Sequence, residues 1–399
     1  MLREQRRRLF GCCADASLAI AGERLTGAFG SIEAFPPGLF VAGSAPMPLA
    51  PDPLRDERPE PRGRLARWRW RRLLAIVAIM TALSPGLWWR SAPHWPRESH
   101  VRSLLAERLV ASSPDFWPAR LRLVGAWRLT SANSRFGGYS ALLATNDDTL
   151  TAISDIGRSL RFRRPDTGAD TDPRFGQIGL HDGPWFYPDT ESATWDPKTG
   201  ARWFGYEETN RIRRFAANDD TGVAVAPRAM RDWSANGGAE SLVRLTDGRF
   251  IVLEEDPPWF SSGGRSGLLF PSDPVTGVAP LEFTFRPPIG YSPSDAAALP
   301  DGRVVVLLRT FDLPFPPFFK GMLVVADPAQ IAAGKEWPWR KLADLDDPVP
   351  RDNYEGLAIV PVGDGVDLWL ISDDNFAPFQ RTLLLQLHWR VPPRTAPAK

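Results

Sequence analysis

Three glutamates stand at the same point of a repeated sequence pattern, each directly before or within the start of an apolar stretch: Glu191, Glu240 and Glu355. Asp155 and Asp373 stand at a second recurring point, directly after the apolar stretch that follows a turn. Carboxylates that converge in a narrow space raise one another's pKa unless a cation neutralises them. Their hard oxygen atoms favour Ca²⁺ or Mg²⁺. We therefore predict a divalent-cation site, preferentially for Ca²⁺, held by Glu191, Glu240, Glu355 and Asp155, with Asp373 as the alternative fourth ligand.

A structural interpretation of these acids stays open beside the metal site. Each glutamate could hydrogen-bond backbone amides of the neighbouring repeat, and acids that follow a strand often cap the turn after it. A bound Ca²⁺ could likewise tie the repeats together without any chemistry. The acids after the second strand of each repeat are Asp155, Glu207, Glu208, Glu254, Glu255, Asp256, Asp373 and Asp374.

Two arginines are candidates for binding an anionic group. Arg309 occupies the place where the other four repeats have an acid, and Arg158 follows Asp155 by three residues. Arg309 could pair with one of the acids, or its guanidinium could hold a substrate anion with two parallel hydrogen bonds. With a carboxylate that takes a proton from water, this gives a predicted catalytic set of Glu355, Asp373, Arg309 and Arg158.

Other chemistry is sparse in this sequence. The four histidines lack the spacing of metal ligands, although His181 could serve as a base. Neither a phosphate-binding P-loop nor a G-x-G-x-x-G motif is present. Residues 73–399 hold 35 basic against 39 acidic residues, which argues against a nucleic-acid-binding surface. We expect a small substrate and a monomeric protein.

The repeated pattern predicts the elements that position these residues. Each of five units has a polar residue, an apolar strand, a tight turn, a second apolar strand and another polar group, at steps of 52, 49, 54 and 61 residues. A period near 50 with three or four strands per unit is typical of β-propellers. We predict a single all-β propeller over residues 118–391, with five blades or, if residues 257–288 form one, six. The unassigned strand 121–129 is predicted to pair with strand 381–389 and close the ring.

The residues before the propeller predict an exported protein. Residues 1–66 are rich in arginine and proline and are predicted to be disordered, or translated upstream of the true start. In segment 67–89, basic and aromatic residues precede an apolar run of 11 residues, which is typical of a signal peptide or membrane anchor. We predict a periplasmic or cell-envelope location, with membrane contact only through this segment. Residues 90–117 are predicted to be a connector with a short helix at 101–110, and residues 392–399 a tail.

Several strand-end motifs resemble those of the phytase-like family, also described as "esterase-like activity of phytase". The motifs are G-G-Y-S-A-L with I-S-D-I-G-R, E-S-A-T-W with G-Y-E-E, and N-Y-E-G-L-A with I-S-D-D-N and Q-R-T-L-L. The resemblance extends over about residues 120–389. It implies a propeller fold and a hydrolytic or phosphoesterase role.

Three functions are compatible with the sequence. The first is a metal-dependent hydrolase of a small anionic phosphate ester or related ester. The second is a non-catalytic propeller that binds a ligand or a protein through mouth loops such as Asp312–Phe319, or a pocket lined by Trp259 and Phe260. The third is a lactonase-type propeller hydrolase.

Overall fold

Five antiparallel sheets make up the part of the chain that the computed structural model describes, which is residues 99–110, 120–146, 148–179, 189–234, 237–255, 264–312 and 318–394. The strands in chain order are β1 (Leu105–Val110), β2 (Leu121–Thr130), β3 (Tyr139–Asn146), β4 (Thr149–Ser154), β5 (Arg158–Arg163), β6 (Arg174–Gln177), β7 (Thr190–Trp195), β8 (Arg202–Tyr206), β9 (Arg211–Phe215), β10 (Val223–Val225), β11 (Ala239–Arg244), β12 (Phe250–Glu254), β13 (Arg265–Phe270), β14 (Leu281–Phe285), β15 (Ser292–Ala298), β16 (Val304–Asp312), β17 (Phe318–Ala326), β18 (Trp339–Asp344), β19 (Tyr354–Val362), β20 (Gly365–Ser372) and β21 (Thr382–Trp389). The same described ranges contain four single-turn 3₁₀-helices, at Pro165–Thr167, Arg228–Met230, Pro274–Thr276 and Pro328–Gln330.

The sheets are the five blades of a β-propeller. Blades 1 to 4 are β3–β6, β7–β10, β11–β14 and β15–β18, each in chain order from the inner to the outer strand. Blade 5 has the order β19-β20-β21-β2-β1. The inner strands β3, β7, β11, β15 and β19 contact one another in a closed ring, so they line a central channel. The predicted all-β propeller is therefore confirmed.

The blades are held together by apolar layers between them. Five clusters of buried residues each combine side chains from two neighbouring blades, for example Leu253 and Phe283 of blade 3 with Val306 and Met322 of blade 4. A strand in the middle of a blade therefore buries both of its faces. This explains why its sequence is a near-continuous apolar run rather than an alternation of apolar and polar residues.

The ring is closed by pairing between the two ends of the propeller sequence. Strand β2 pairs antiparallel with β21, from Leu121 opposite Trp389 to Leu129 opposite Thr382. The predicted closure is thus confirmed. Because the last repeat supplies only three strands, β2 provides its fourth, and the edge of β21 is not left open for pairing with another chain.

One detail of the sequence prediction is wrong, and one alternative that the sequence left open is excluded. The helix predicted at residues 101–110 is instead strand β1, a largely exposed strand that pairs with the outer edge of β2. A row of charged side chains on an edge strand is a common protection against aggregation, and here it removed the apolar alternation that identifies a strand. The optional sixth blade within residues 257–288 does not form, because β13 and β14 complete blade 3.

The predicted disordered segment 1–66 and membrane-targeting segment 67–89 lie outside the described residues. Within those residues, none of the helices has the length and apolar character needed to cross a membrane.

Candidate functional site

The channel has one polar mouth, at the end where the inner strands begin. Each inner strand is antiparallel to the second strand of its blade, so the second strands end at this same mouth. Polar residues at the start of the first strand and at the end of the second therefore meet there, as the repeat predicted. Towards its other end the channel contains a cavity of about 140 Å³, lined by apolar residues such as Ala193, Ala296 and Ala358 and by the polar side chains of Thr194 and Arg244.

A β-bulge near the start of every inner strand defines a first ring of residues. In each blade, one residue is left unpaired between two residues that pair normally with the second strand. A bulge re-aims the side chain at that point of the strand. The bulged residues of blades 1 to 5 are Ser140, Glu191, Glu240, Ser294 and Glu355, so the three glutamates singled out in the sequence occupy equivalent positions.

A second ring is formed by one residue from the second strand of each blade. The residue just before the bulge pairs with a residue of that second strand, and the ring residue directly follows this partner. From blade 1 to blade 5 these residues are Asp155, Glu207, Glu255, Arg309 and Asp373. Asp189, directly before β7, and Asp374, directly after Asp373, lie next to the same groups. Among the described residues, the mouth thus brings together nine carboxylates: three from the first ring, four from the second ring, and those of Asp189 and Asp374. Arg309 of the second ring lies among them.

Arg309 is engaged by the carboxylates around it. Its Nη2 lies 3.0 Å from Oε1 of Glu255, and its Nη1 lies 3.0 Å from Oε1 of Glu355. Asn353, which is buried, donates from Nδ2 to the same Glu355 oxygen at 2.7 Å. Burial by itself lowers the pKa of Arg309, but Glu355, Glu255 and Glu240 raise it by more, so its pKa lies above the ordinary value. Arg309 is therefore a fixed positive charge bridging two blades.

Among the residues that the structure describes, two groups of three carboxylates have the spacing of metal ligands. Asp189, Glu191 and Glu207 each offer an oxygen, and these atoms lie within 4.8 Å of one another. The same holds for Glu207, Glu240 and Glu255, so Glu207 belongs to both groups. A donor set made only of carboxylate oxygens suits Ca²⁺ or Mg²⁺ rather than a softer metal. The residues present therefore fit the predicted cation.

The predicted ligands do not all fall into one of these groups. Glu191 belongs to the first group and Glu240 to the second, while Glu355 is bound by Arg309 and Asn353. Asp155 accepts a hydrogen bond from the Ile156 amide at 2.6 Å and lies among the carboxylates without being a member of either group.

Burial and mutual repulsion keep protons on several of these acids. Burial, followed by repulsion from Asp189 and Glu355, raises the pKa of Asp155 to about 7. Burial, together with repulsion from and a hydrogen bond with Asp189, raises the pKa of Glu207 to about 8. The pKa values of Glu191, Glu240 and Asp373 are also well above the ordinary value, with burial as the main cause.

Other acids at the mouth have structural roles. Asp295 is buried in the channel, and its carboxylate accepts from the Ala296 amide and, at 2.7 Å, from the Leu357 amide of blade 5. A backbone hydrogen bond from Leu142 of blade 1 also lowers its pKa, although burial outweighs this and the pKa stays raised. Asp295 therefore ties blade 4 to blades 5 and 1.

Asp374 joins blade 5 to blade 1. Its Oδ1 accepts from the Gly138 amide at 2.9 Å, and its Oδ2 accepts from the Thr382 hydroxyl. A Cβ on Gly137 would lie 2.9 Å from this carboxylate, and one on Gly138 would lie 2.3 Å from the Phe376 ring. Both glycines also have positive φ, so this Gly-Gly pair lets the chain pass directly beneath Asp374.

The remaining candidates make other contacts or lie outside the described residues. Arg158 donates to the Ser134 carbonyl at 2.8 Å. Glu208 is exposed, and Glu254 is buried and accepts from the Ser266 amide. His388 is buried with Nδ1 2.9 Å from Asp367. Asp256, His181, Trp259 and Phe260 are not described.

Asp189 and Asn353 were missed from the sequence. Each directly precedes the first residue of an inner strand, β7 or β19, and lies two residues before the glutamate of that strand. A search for polar residues up to two positions before each glutamate would have found both. Glu207 and Glu255 appeared only within a larger set of strand-end acids. The signal that singles them out is positional equivalence with Asp155 and Asp373, which requires the bulge to be placed.

Comparison with known proteins identifies the family. A family model described as "Phytase-like: Esterase-like activity of phytase" matches residues 134–376. A search of curated proteins finds no match to the chain. Similar solved structures include the allergen Mala s 1 of Malassezia sympodialis (10% identity, 63% of this chain and 92% of that chain covered, TM-score 0.38), a luciferin-regenerating enzyme (10%, 71% and 95%, 0.37) and the WD40 propeller domain of Doa1 (11%, 63% and 92%, 0.33). Similarity at this level carries no information on function.

Proposed function

Because the chain belongs to the Phytase-like family, we propose that it is a hydrolase of phosphate esters or related esters that works with a divalent cation bound at the channel mouth. The observation that carries this proposal is the convergence of two rings of carboxylates on one mouth, with oxygens of Asp189, Glu191 and Glu207 within 4.8 Å of one another. A bound Ca²⁺ or Mg²⁺ would polarise the ester oxygen and lower the pKa of a water molecule.

The charge balance of the mouth favours dependence on a cation. Without one, an anionic ester would approach carboxylates on every side, and Arg309 already pairs with Glu255 and Glu355. Like charges at this separation repel strongly because the site is shielded from water. The proposed function therefore assigns recognition of the substrate anion to the cation and not to Arg309 or Arg158.

Asp155 is the proposed proton acceptor. Without a cation, burial and then repulsion from Asp189 and Glu355 raise its pKa to about 7. A cation bound by Asp189 would lower that pKa and favour the charged form that accepts a proton. A general base is most effective when its pKa is close to the working pH. Because Asp155 belongs to neither group of ligand-spaced oxygens, it remains available to take a proton from water beside them.

A substrate screen with matched variants tests the proposal. The full chain is assayed against phosphate esters, acyl esters and lactones, in Ca²⁺ and in a chelator. Hydrolysis that requires Ca²⁺ and is lost in Glu207→Gln, but kept in Glu208→Gln, supports the proposed site, because Glu208 is the exposed neighbour of Glu207. Hydrolysis that is insensitive to Glu207→Gln would place the chemistry elsewhere. Turnover of lactones alone would favour the lactonase alternative.

A binding propeller is the second candidate function. The β16–β17 hairpin carries Phe311, which is 50% exposed, packed on Phe319 with their ring centroids 4.9 Å apart. An exposed aromatic pair is a typical anchor for a partner. A protein that turns over none of the three substrate classes and binds a partner through Phe311 would be a binding module.

For location, we propose the periplasm or cell envelope, on the basic-then-apolar sequence of segment 67–89. Cell fractionation tests this, and recovery of the full chain in the cytoplasm would overturn it.

A further inference from the structure

One position of the second ring carries a charge opposite to the other four. Asp155, Glu207, Glu255 and Asp373 are acids, and blade 4 places Arg309 at the equivalent point. The bulged residue of the same blade is Ser294 in place of a glutamate. Blade 4 therefore differs from its neighbours at both ring positions, which removes two acids and adds one cation.

Arg309 lies against one group of ligand-spaced acids and not the other. Its Nη2 contacts Glu255, a member of the group with Glu207 and Glu240, at 3.0 Å. Its field is felt by Glu240 and Glu191 as well, but its close contacts are to Glu255 and Glu355. A guanidinium that binds a carboxylate oxygen directly competes with a metal ion for the lone pairs of that carboxylate, and it repels a second cation nearby.

We propose that Arg309 is a built-in counter-ion that keeps a metal ion out of the Glu207–Glu240–Glu255 group, so that the mouth holds one divalent cation and not two. This inference rests on the proposed function for the ion bound by Asp189, Glu191 and Glu207. Arg309 sets the number of ions, and through the fixed charge it sets how many anionic groups of a substrate the mouth can bind. A single ion fits a substrate with one phosphate or carboxylate group at the reacting position.

The test is the number of Ca²⁺ ions bound per chain, measured by equilibrium dialysis of the full chain and of Arg309→Gln. We expect one ion in the unmodified protein and two in Arg309→Gln. Arg244→Gln is the matched control, because Arg244 loses the same charge, is 23% exposed against 24% for Arg309, and pairs with Asp196 at the far end of its strand. The control should keep one ion.

Two further measurements protect the result against loss of folding. Arg309→Met keeps an unbranched side chain without the charge and should also gain an ion, whereas Arg309→Lys keeps the charge and should not. The rise in melting temperature on adding saturating Ca²⁺ should roughly double in Arg309→Gln and Arg309→Met, since each bound ion adds its own stabilisation. Adding Glu255→Gln to Arg309→Gln should return the count to one.

The outcomes separate this inference from the proposed function. One ion in the unmodified protein and two in the neutral Arg309 variants support the inference. An equal count in the unmodified protein and both neutral variants overturns it. An unmodified protein that binds no Ca²⁺ would instead refute the metal dependence of the proposed function.

Discussion

Replacing Asp155 by asparagine should stabilise the metal-free protein at alkaline pH and leave it unchanged at acidic pH. The pKa of Asp155 rises from 3.8 to about 7 on folding. Between these values the folded protein binds the proton and the unfolded chain does not, so the stability contributed by protonated Asp155 is lost as the pH rises from about 4 to 7. Asparagine resembles the neutral acid and can still accept from the Ile156 amide through its side-chain oxygen.

The size of the expected difference in the free energy of unfolding follows from the pKa shift of Asp155. About three pKa units at about 1.4 kcal/mol each give at most about 4 kcal/mol of difference in the free energy of unfolding between the two proteins above pH 7. Other mouth acids also have raised pKa values, so part of the slope remains in the variant.

Urea denaturation at pH 4.5, 6 and 8 in a chelator measures this difference. We expect the stabilities of Asp155→Asn and the unmodified protein to differ least at the lowest pH, and the variant to become increasingly more stable than the unmodified protein as the pH rises. Asp170→Asn, which changes an exposed aspartate, is the control and should follow the unmodified protein at every pH. Parallel curves for Asp155→Asn and the unmodified protein would show that Asp155 is not held protonated by its surroundings.

Three other perturbations test the fold around the site. Asp295→Ala should lower the free energy of unfolding by about 3 kcal/mol or more, because buried amides of three inner strands lose their hydrogen-bond acceptor. An unchanged urea midpoint would contradict the role of Asp295 in joining blade 4 to blades 5 and 1. Gly138→Ala should lower the melting temperature well below that of Gly168→Ala, since both glycines have nearly the same φ but only Gly138 meets a ring; equal losses would mean that Phe376 moves freely aside. A chain that begins at residue 131 should lose the cooperative unfolding of a chain that begins at residue 99, because it lacks β2, the fourth strand of blade 5. A cooperative transition in the shorter chain would show that blade 5 is stable without β2.

The fold could be predicted from the sequence because each repeat consists of apolar segments separated by recognisable turn residues. Asp247-Gly248 and Asp301-Gly302 mark equivalent turns, and both glycines have the positive φ that such turns require. The closing strand could be inferred by counting, since the last repeat lacks a fourth strand. Strand β1 could not, because an exposed edge strand carries charged side chains and loses the alternation that marks a strand.

The mouth could be placed from the sequence, but its internal pairing could not. Strand ends show that Glu191, Glu240 and Glu355 meet, since antiparallel strands bring equivalent positions to one end. Whether Glu355 faces a cation or Arg309 depends on side-chain distances across two blades, and sequence spacing carries no information on those. The role of Asp295 was hidden for the same reason, because its hydrogen-bond donors are amides of strands far away in the sequence.

The position of β2 between β1 and β21 has a consequence for synthesis in the cell. Thr130, the last residue of β2, leaves the ribosome about 250 residues before Thr382, the first residue of its partner β21. At about 5–20 residues per second, β2 waits roughly 10 to 50 s for that partner to be made. During this interval Leu121 and Leu123 lack the residues of blades 4 and 5 that bury them in the finished fold, so these apolar side chains stay accessible to chaperones until translation is nearly complete.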